Sequence, residues 1–445
     1  MSKSLSYILM LDVSGSMMNA IEQVKINAHS FAGWSRIGDQ FGINAFSDDA
    51  KWIYPTGTNP NIITILDKYK EVDDSYDAIE GIRLRDMTNI GDAIRLGNNM
   101  IQGAKADNLK AFVLLSDGIH NKGTDPELVL GNTPPLYVAG LGSCQESYFL
   151  RLIKKNPRSK FHNKLNAYEM TLMFNDIVSE STDSALVINK LDTMRQGAFY
   201  TVEKFNVSRE GSDVIIQLVW NGKKYKYTNG DLKKDNFKIT IMDPADKRVA
   251  FEPVIIKDGY CVYRLKLNPG EWKVLTEYSI NAADYCTFGG VNFSAAVRAV
   301  IDAPAISKTG EPVKLAVNVL DGNNIIENAK VTAHIERPVI SVEKALEKYK
   351  PELDMIQPGN VINEDVDENL LKLEILRKQK LPHFDILERK ASVEFPEISK
   401  DGTYNLIIND VKEPGLYVVS VTVEGKDPQT GFTFTDMEKH AVIVT

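Results

Sequence analysis

The chain has 445 residues, a formal net charge of −8 and a pI near 5.5. Its 43% hydrophobic and 25% charged residues are typical of a globular protein, and its length suits about three domains. The acidic balance argues against nucleic-acid binding as the main activity, because a phosphate backbone favours a basic surface. No apolar run approaches the roughly 18 residues of a membrane span, and three scattered cysteines suit neither a disulfide framework nor a zinc site.

The amino-terminal stretch contains an apolar strand that ends on oxygen-bearing side chains. The run Tyr7–Leu11 has no polar alternation, which is typical of a central parallel strand covered by helices on both faces. Asp12, Ser14 and Ser16 follow on alternate residues, so one carboxylate and two hydroxyls can turn towards a common point. Hard oxygen ligands in this arrangement suit Mg²⁺ or Mn²⁺.

Helix and strand patterns then alternate. Ile21, Val24, Ala28 and Phe31 recur at helical spacing and predict a helix. The next elements are predicted as two strands, a short helix and an acidic loop: Gln40–Phe46, Ala50–Tyr54, Asn61–Tyr69 and Asp73–Asp77. We interpret the acidic loop as solvated surface in preference to a second cation site.

Two further stretches add oxygen ligands. Thr88 precedes an apolar helical pattern that Asn89 and Asp92 can cap. The strand Ala111–Ser116 ends on Asp117, and open parallel sheets place ligand sites at the carboxyl ends of their strands. A lone Asp-x-Ser-x-Ser motif is weak evidence, because these residues are common in turns and caps. Five oxygen ligands in order favour a metal site over simple capping.

The first unit closes with five more predicted elements. Asp125 and Pro126 predict the start of a helix. A strand, a helix, an edge strand and a closing helix are then predicted: Leu136–Leu141, Glu146–Lys154, Lys160–Asn163 and Ala167–Val178. The alternation indicates a doubly wound, mostly parallel α/β sheet within residues 1–185.

From about Ala185, short alternating runs between turns replace the helical periodicity. The clearest strands are 214–220, 237–241, 260–267, 272–278, 313–320, 329–335, 402–408 and 415–423. They predict two antiparallel β-sandwich domains, residues 186–303 and 304–445. A charged insertion at about 339–391 interrupts the second, with helical segments at Val342–Tyr349 and Val366–Lys380. Its mixed charges favour a solvated excursion over a docking element.

The five oxygen ligands carry a family resemblance. Asp12-x-Ser14-x-Ser16, Thr88 and Asp117 resemble the metal-ion-dependent adhesion site of von Willebrand factor A domains, whose fold is a Rossmann-like α/β sheet. The resemblance implies that Ser14, Ser16 and Thr88 contact the cation, and that Asp12 and Asp117 bind it directly or through water. It also implies that an acidic side chain of a protein partner fills the remaining coordination position.

Short patterns in the second half resemble the sandwich modules of the calcium-activated chloride channel regulator family and its bacterial relatives. They are Pro312-Val313-x-Leu315, Asn328-Ala329-x-Val331, Asp401-Gly402-x-Tyr404, Pro414-Gly415-x-Tyr417, Trp220, Asp243-Pro244 and Gly270-x-Trp272. Animal members of that family carry an upstream zinc protease domain. No His-Glu-x-x-His motif occurs here, so self-cleavage and channel regulation are not implied.

Three functions are compatible with these patterns. We favour an adhesion-type module that binds a protein partner through Mg²⁺ or Mn²⁺. The alternative is an intracellular assembly factor that docks on an AAA-type ATPase or a cofactor-insertion complex. A metal-dependent hydrolase is disfavoured, because His120 is its only candidate general base and no phosphate-cradling glycine-rich loop is present. Without a signal peptide in the given sequence the expected location is cytoplasmic, and a start upstream would make it the cell surface or exterior.

Overall fold

The structure is a computed structural model of the chain. It describes residues 3–19, 21–57, 59–66, 69–117, 120–131, 133–141, 149, 152–153, 155–156, 159–164, 167–222, 224–282, 284–356, 372 and 389–445. The helices are α1 Ile21–Gly33, α2 Lys70–Glu80, α3 Ile90–Ile101, α4 Pro126–Val129, α5 Ala167–Thr182, α6 Val342–Lys348 and α7 Lys350–Asp354, with a 3₁₀ helix at Gly15–Asn19. None of the helices in these ranges is long and apolar enough to cross a membrane.

The amino-terminal unit is built on a mostly parallel sheet. Its strands are β1 Leu5–Asp12, β2 Gln40–Phe46, β3 Ala50–Tyr54, β4 Ile63–Thr64, β5 Leu109–Ser116, β6 Leu136–Leu141 and β7 Lys160–Lys164. The order is β3-β2-β1-β5-β6-β7, with β4 on β2, and only β3 and β4 run antiparallel to their neighbours. Every residue of β1 is buried, because helices cover both faces of the sheet. The predicted doubly wound α/β fold is confirmed.

Two predictions in this unit are wrong. The stretch predicted as a helix at Asn61–Tyr69 contains β4, which pairs with β2. Its isoleucines fit a strand as well as a helix, and the free edge of β2 selects the strand. The stretch Asp73–Asp77 is not a loop but part of α2. Val72, Ser75 and Ile79 are its buried face, while the aspartates lie on the outer face, so acidity marked the solvent side of a helix.

The twenty strands that follow in the described residues form three β-rich sheets. The strands are β8 Ala185–Met194, β9 Gly197–Val207, β10 Ser212–Trp220, β11 Lys226–Tyr227, β12 Asn236–Met242, β13 Arg248–Val249, β14 Ile255–Lys257, β15 Tyr260–Leu267, β16 Gly270–Ile280, β17 Asp284–Asn292, β18 Val297–Asp302, β19 Ile306–Ser307, β20 Val313–Asp321, β21 Asn324–Ile325, β22 Lys330–Pro338, β23 Arg389–Glu394, β24 Glu397–Ile398, β25 Tyr404–Ile408, β26 Gly415–Lys426 and β27 Thr433–Val444. The predicted helical segment at Val342–Tyr349 is confirmed as α6. Most of Val366–Lys380 and most of Glu146–Lys154 lie outside the described residues.

The largest of these sheets runs through both predicted sandwich domains. Its strand order is β14-β15-β10-β17-β8-β27-β26-β22-β23, with β19 on β27. One half packs on a sheet of order β11-β12-β16-β9, and the other half packs on a sheet of order β18-β20-β25-β24. The antiparallel β-rich architecture is confirmed, whereas the boundaries at 185/186 and 303/304 stay a prediction.

The outer face of this large sheet packs on the α/β unit. Ile215 and Val219 of β10, together with Val262 of β15, belong to the same apolar core as Val24 and Phe31 of α1. The side-chain amide of Gln217 donates to the carbonyl of Ser30 at 2.7 Å. Helices α1 and α5 therefore lie between two sheets and have no solvent-facing layer on that side. This packing covers one face of the α/β unit. The carboxyl ends of its parallel strands lie along an edge of the sheet and not on that face.

Candidate functional site

The first loop of the site is held by the buried carboxylate of Asp12. This residue is the last of β1 and is fully buried. Its Oδ1 accepts the backbone N–H of Ser14 at 2.9 Å, and its Oδ2 accepts the hydroxyl of Ser116 at 2.5 Å. Because β1 and β5 are parallel neighbours, their carboxyl ends place Asp12 and Ser116 side by side. Both oxygens of Asp12 are thus fixed in direction.

A row of oxygen atoms continues from this loop to the next strand. The hydroxyls of Ser14 and Ser16 lie 3.1 Å apart, and Ser16 donates to Asp117 Oδ1 at 2.8 Å. Ser14 is buried and Ser16 is exposed, so the row leads from the interior to the surface. The structure therefore brings together four of the five residues that the sequence predicted as metal ligands: Asp12, Ser14, Ser16 and Asp117.

Backbone hydrogen bonds of Thr88 and of the residues just before it hold Thr88 beside this cluster. The backbone N–H of Arg85 donates to the carbonyl of Val13 at 2.8 Å, and the N–H of Gly15 lies 3.5 Å from the carbonyl of Asp86. On the other side, Asn121 accepts the N–H of Thr88 at 2.8 Å and donates its own N–H to the carbonyl of Thr88 at 3.0 Å. Thr88 is therefore clamped between the loop after β1 and the loop after β5.

The helix that follows Thr88 requires a very close approach to the β5 loop. Asn89 caps α3 by accepting the backbone N–H of Asp92 at 3.1 Å, as the sequence predicted. A Cβ atom at Gly91 would overlap the carbonyl oxygen of Thr124, so only glycine allows α3 to begin at this place. The position of Thr88 at the site thus depends on Gly91.

The electrostatics of the cluster favour a cation. Burial, followed by the negative charge of Asp117, raises the pKa of Asp12 to about 7, although Ser116 and Ser14 donate to it. The carboxylates of Asp12 and Asp117 and the hydroxyls of Ser14 and Ser16 are all oxygen ligands, and Mg²⁺ characteristically takes one or two carboxylates and keeps several waters. The described residues contain no group of three or more His, Cys, Asp or Glu placed to hold a metal ion, so a cation here would depend on hydroxyls as well as on the two carboxylates. The residues present therefore fit Mg²⁺ or Mn²⁺ with open coordination positions.

His120 lies in the loop after Asp117 and is half-buried. Burial lowers the pKa of its imidazole, so the ring is neutral near pH 7. Its Nδ1 is buried and has no hydrogen-bond partner among the described residues. A general base needs a positioned partner, so this geometry gives the hydrolase hypothesis no support.

Two residues that position the site were not predicted from the sequence. Ser116 orients Asp12, and Asn121 clamps the backbone of Thr88. Ser116 could have been noticed as the one polar residue that ends an apolar strand beside Asp117. Asn121 carries no comparable signal, because an asparagine in a loop is ordinarily a turn residue.

Comparison with known proteins agrees with the fold. Residues 7–120 match the family model of the von Willebrand factor type A domain. No curated protein matches the chain.

Three solved structures illustrate the likeness. A von Willebrand factor type A protein from Catenulispora acidiphila is 13% identical, with 73% of this chain and 64% of that chain covered and a TM-score of 0.37. Proximal thread matrix protein 1 from the mussel byssus is 17% identical, with 44% and 51% covered and a TM-score of 0.34. An ArnB paralog from Sulfolobus acidocaldarius is 16% identical, with 73% and 64% covered and a TM-score of 0.30. The chain spans less than two thirds of the length of each of these proteins.

The family match falls on the part of the chain that carries the oxygen cluster. It begins within β1, which ends on Asp12, and it extends past Asp117. A von Willebrand factor type A domain is a module that commonly mediates protein–protein interaction. The amino-terminal unit of this chain is thus a von Willebrand factor A-like α/β domain, followed by antiparallel β-rich sheets.

Proposed function

We propose that the chain is a protein-binding module whose von Willebrand factor A-like domain holds Mg²⁺, or Mn²⁺, at Asp12, Ser14, Ser16, Thr88 and Asp117. The bound cation would offer a coordination position to a carboxylate of a protein partner. This is the adhesion-type mode of binding that the sequence resemblance implies.

The observation that carries the proposal is the continuous chain of hydrogen bonds from Asp12 to Asp117. Four hydrogen bonds join Ser116, Asp12, Ser14, Ser16 and Asp117 across two neighbouring strands. Burying one carboxylate beside another is unfavourable unless a proton or a cation compensates the charge. A divalent cation supplies that compensation and leaves the hydroxyl groups to complete its coordination.

The exposed end of the row explains why a partner can reach the cation. Asp12 is closed off behind Ser116, whereas Ser16 is exposed and Asp117 is half-buried. A ligand can therefore approach from the side of Ser16, along the carboxyl edge of the sheet. The serine and threonine hydroxyls bring no formal charge to the cation, so an anionic oxygen donor of the partner, such as an aspartate or glutamate, is attracted to the open position.

The proposal is tested by affinity capture with a matched bait. The full chain and its Thr88→Ala variant are immobilised and exposed to the same cell lysate in Mg²⁺ and in EDTA. We expect partners that are retained only by the parent chain and only in Mg²⁺, and that no longer bind after aspartate and glutamate side chains of the partner are amidated.

A direct metal measurement decides the same question without a partner. Calorimetric titration with MgCl₂ or MnCl₂ should show one binding event in the parent chain and none in Asp12→Ala. The same heat in both proteins would refute the assignment of the site. Equal retention of a partner in Mg²⁺ and EDTA would refute metal-dependent capture.

A further inference from the structure

A cleft opens directly beside the loop that carries the proposed metal ligands. It has a volume of about 300 Å³ and lies between that loop, the β2–β3 hairpin and the carboxyl end of α2. Val13, which stands between Asp12 and Ser14 in the chain, is part of its lining. The carbonyl of Val13 accepts the N–H of Arg85, another lining residue, at 2.8 Å. The cleft and the oxygen row thus share one loop.

The walls of this cleft are apolar. Ala45, Ile53, Ala78 and Ile82 contribute side chains from β2, β3 and the end of α2. Ala45, Ile53 and Ala78 are only half-buried, so part of their surface still faces water. Removing that surface from water favours an aliphatic occupant, by roughly 25 cal/mol for each Å² of apolar surface buried. A free inorganic anion would gain nothing from these walls.

The rim of the cleft carries three cationic side chains, Lys51, Arg83 and Arg85, against the two carboxylates of Asp49 and Asp77. Lys51 and Arg85 share a single carboxylate, Asp49, at 3.5 and 3.3 Å, and their side chains are 56% and 47% exposed. Arg83 donates to the backbone carbonyls of Glu80 and Ile82 at 3.2 and 3.1 Å. No carboxylate among the described residues pairs with Arg83 in this geometry. The guanidinium of Arg83 can therefore pair with a carboxylate of a partner, although the net charge of the chain is −8.

We propose that this cleft binds the stretch of the partner next to its metal-anchoring carboxylate, and that it selects an aliphatic side chain accompanied by a second acidic residue. The inference rests on the metal-dependent binding proposed above. The aliphatic group packs on the apolar walls, and the second carboxylate pairs with Arg83. Because the cleft and the oxygen row share one loop, an extended partner chain, which advances roughly 3.3 Å per residue, reaches both of them within one short stretch.

The test uses a displayed peptide library with one fixed central aspartate and random flanking positions. It is selected on the immobilised full chain in Mg²⁺ and eluted with EDTA. Four further baits are selected in parallel: Thr88→Ala, Arg83→Glu, Ala78→Leu and Lys110→Glu. Lys110 is exposed at the amino end of β5, the edge of the sheet opposite the site, and controls for the change of charge.

We expect the parent pool to be enriched in an aliphatic residue and a second aspartate or glutamate at fixed distances from the central aspartate. Arg83→Glu should lose the second acidic preference, and Ala78→Leu, which narrows the cleft, should lose the aliphatic one. A synthetic peptide from the parent pool should bind Arg83→Glu about fivefold more weakly, the upper end of what an exposed ion pair contributes. It should bind Lys110→Glu as it binds the parent.

The proposed function and this inference fail in different ways. If peptides elute with EDTA from the parent and are absent from Thr88→Ala, but Arg83→Glu and Ala78→Leu select the same pool as the parent, the cleft does not take part and this inference is overturned alone. If no peptide depends on Mg²⁺, or if Thr88→Ala selects the same pool as the parent, the proposed function fails and the inference fails with it.

Discussion

The ammonium of Lys439 in β27 lies 2.6 Å from the carboxylate of Asp176 in α5. The two residues are 263 positions apart, and their side chains are 16% and 4% exposed. This pair joins the last strand of the chain to the last helix of the α/β unit. The stability of this pair therefore measures the packing of the large β-sheet on the α/β unit.

Lys439→Met should lower the free energy of unfolding by roughly 3 kcal/mol, because it leaves a buried carboxylate without its cation. Asp176→Asn in the same protein should restore about half of that loss, since the uncompensated charge is then gone. Lys204→Met is the control. Its partner Glu271 is 46% exposed, and the pair should contribute under about 1 kcal/mol. Chemical denaturation of the four proteins measures these values, and equal losses for both lysines would contradict the prediction.

Glu180 predicts a dependence of stability on acid pH. Burial raises its pKa, but the charges of Lys160 and His162, whose nitrogens lie 3.0 and 3.5 Å away, outweigh burial and bring the pKa to about 2. Between the ordinary value of 4.5 and about 2, the unfolded chain binds more protons than the folded chain, so stability rises with pH across this window. The contribution is complete above pH 4.5 and is lost as the pH falls towards 2.

Glu180→Gln should accordingly be less stable at pH 7 and should show a shallower loss of stability between pH 4.5 and 2. Glu438, which lies 3.4 Å from Lys160, is present in both proteins, and losing the negative charge of Glu180 lowers its pKa in the variant. Melting temperatures at half-unit pH steps give the two slopes. Parallel curves would show that Glu180 does not titrate in this range.

Mg²⁺ should stabilise the protein, because a ligand that binds only the folded state adds RT ln(1 + [L]/Kd). A concentration ten to a hundred times Kd adds roughly 1 to 3 kcal/mol. Thr88→Ala should remove this increment while changing stability in EDTA by under about 1 kcal/mol. The measurement is the melting temperature of both proteins in EDTA and in millimolar MgCl₂. An equal Mg²⁺ increment in both would show that Thr88 does not hold the cation.

Gly91→Ala should disrupt the site through the backbone. The added methyl overlaps the carbonyl of Thr124, and forcing atoms into a packed place costs roughly 1–3 kcal/mol. The Mg²⁺ increment should fall as well, since α3 carries Thr88 into place. Gly131→Ala is the matched control, because a Cβ there has no atom within 4 Å. If Gly91→Ala has unchanged stability, the loop at Thr124 can move away from the added methyl group without a measurable cost in free energy.

Residues 1–184 expressed alone should expose the apolar face of α1. In the full chain this face packs on Ile215, Val219 and Val262. We expect the fragment to bind a hydrophobic dye, to self-associate at micromolar concentration and to melt at a lower temperature than the full chain. A monodisperse fragment with the melting temperature of the full chain would show that the β-rich sheets are dispensable for the α/β unit.

Much of the α/β unit could be predicted because its signals are local. The run Tyr7–Leu11 and the run Ala111–Ser116 are apolar without alternation, and both are central strands. Their polar ends then predicted Asp12 and Asp117 at one edge, and the structure links these residues through Ser14 and Ser16. Because β1 and β5 are parallel neighbours, their carboxyl ends meet, and two local sequence patterns were enough to predict one site.

The failures have a different origin. β4 and α2 were misassigned because their character depends on neighbours: β4 forms where β2 offers a free edge, and α2 turns its aspartates outward only once Val72 and Ile79 are buried. The single sheet that runs through both predicted sandwich domains was likewise beyond reach. Strand alternation identifies which face of a strand is buried, but it does not identify the partner strand.

The placement of β27 between β26 and β8 bears on how the chain folds as it is synthesised. Asp436 of β27 accepts the backbone N–H of Leu186 in β8 at 2.9 Å, across a separation of 250 residues. At a synthesis rate of about 5–20 residues per second, β8 waits roughly 10–50 seconds for this neighbour. During that interval the edge of β8 and the outer face of α5 lack the strand that pairs with them. Without β27 the large sheet would consist of two separate halves.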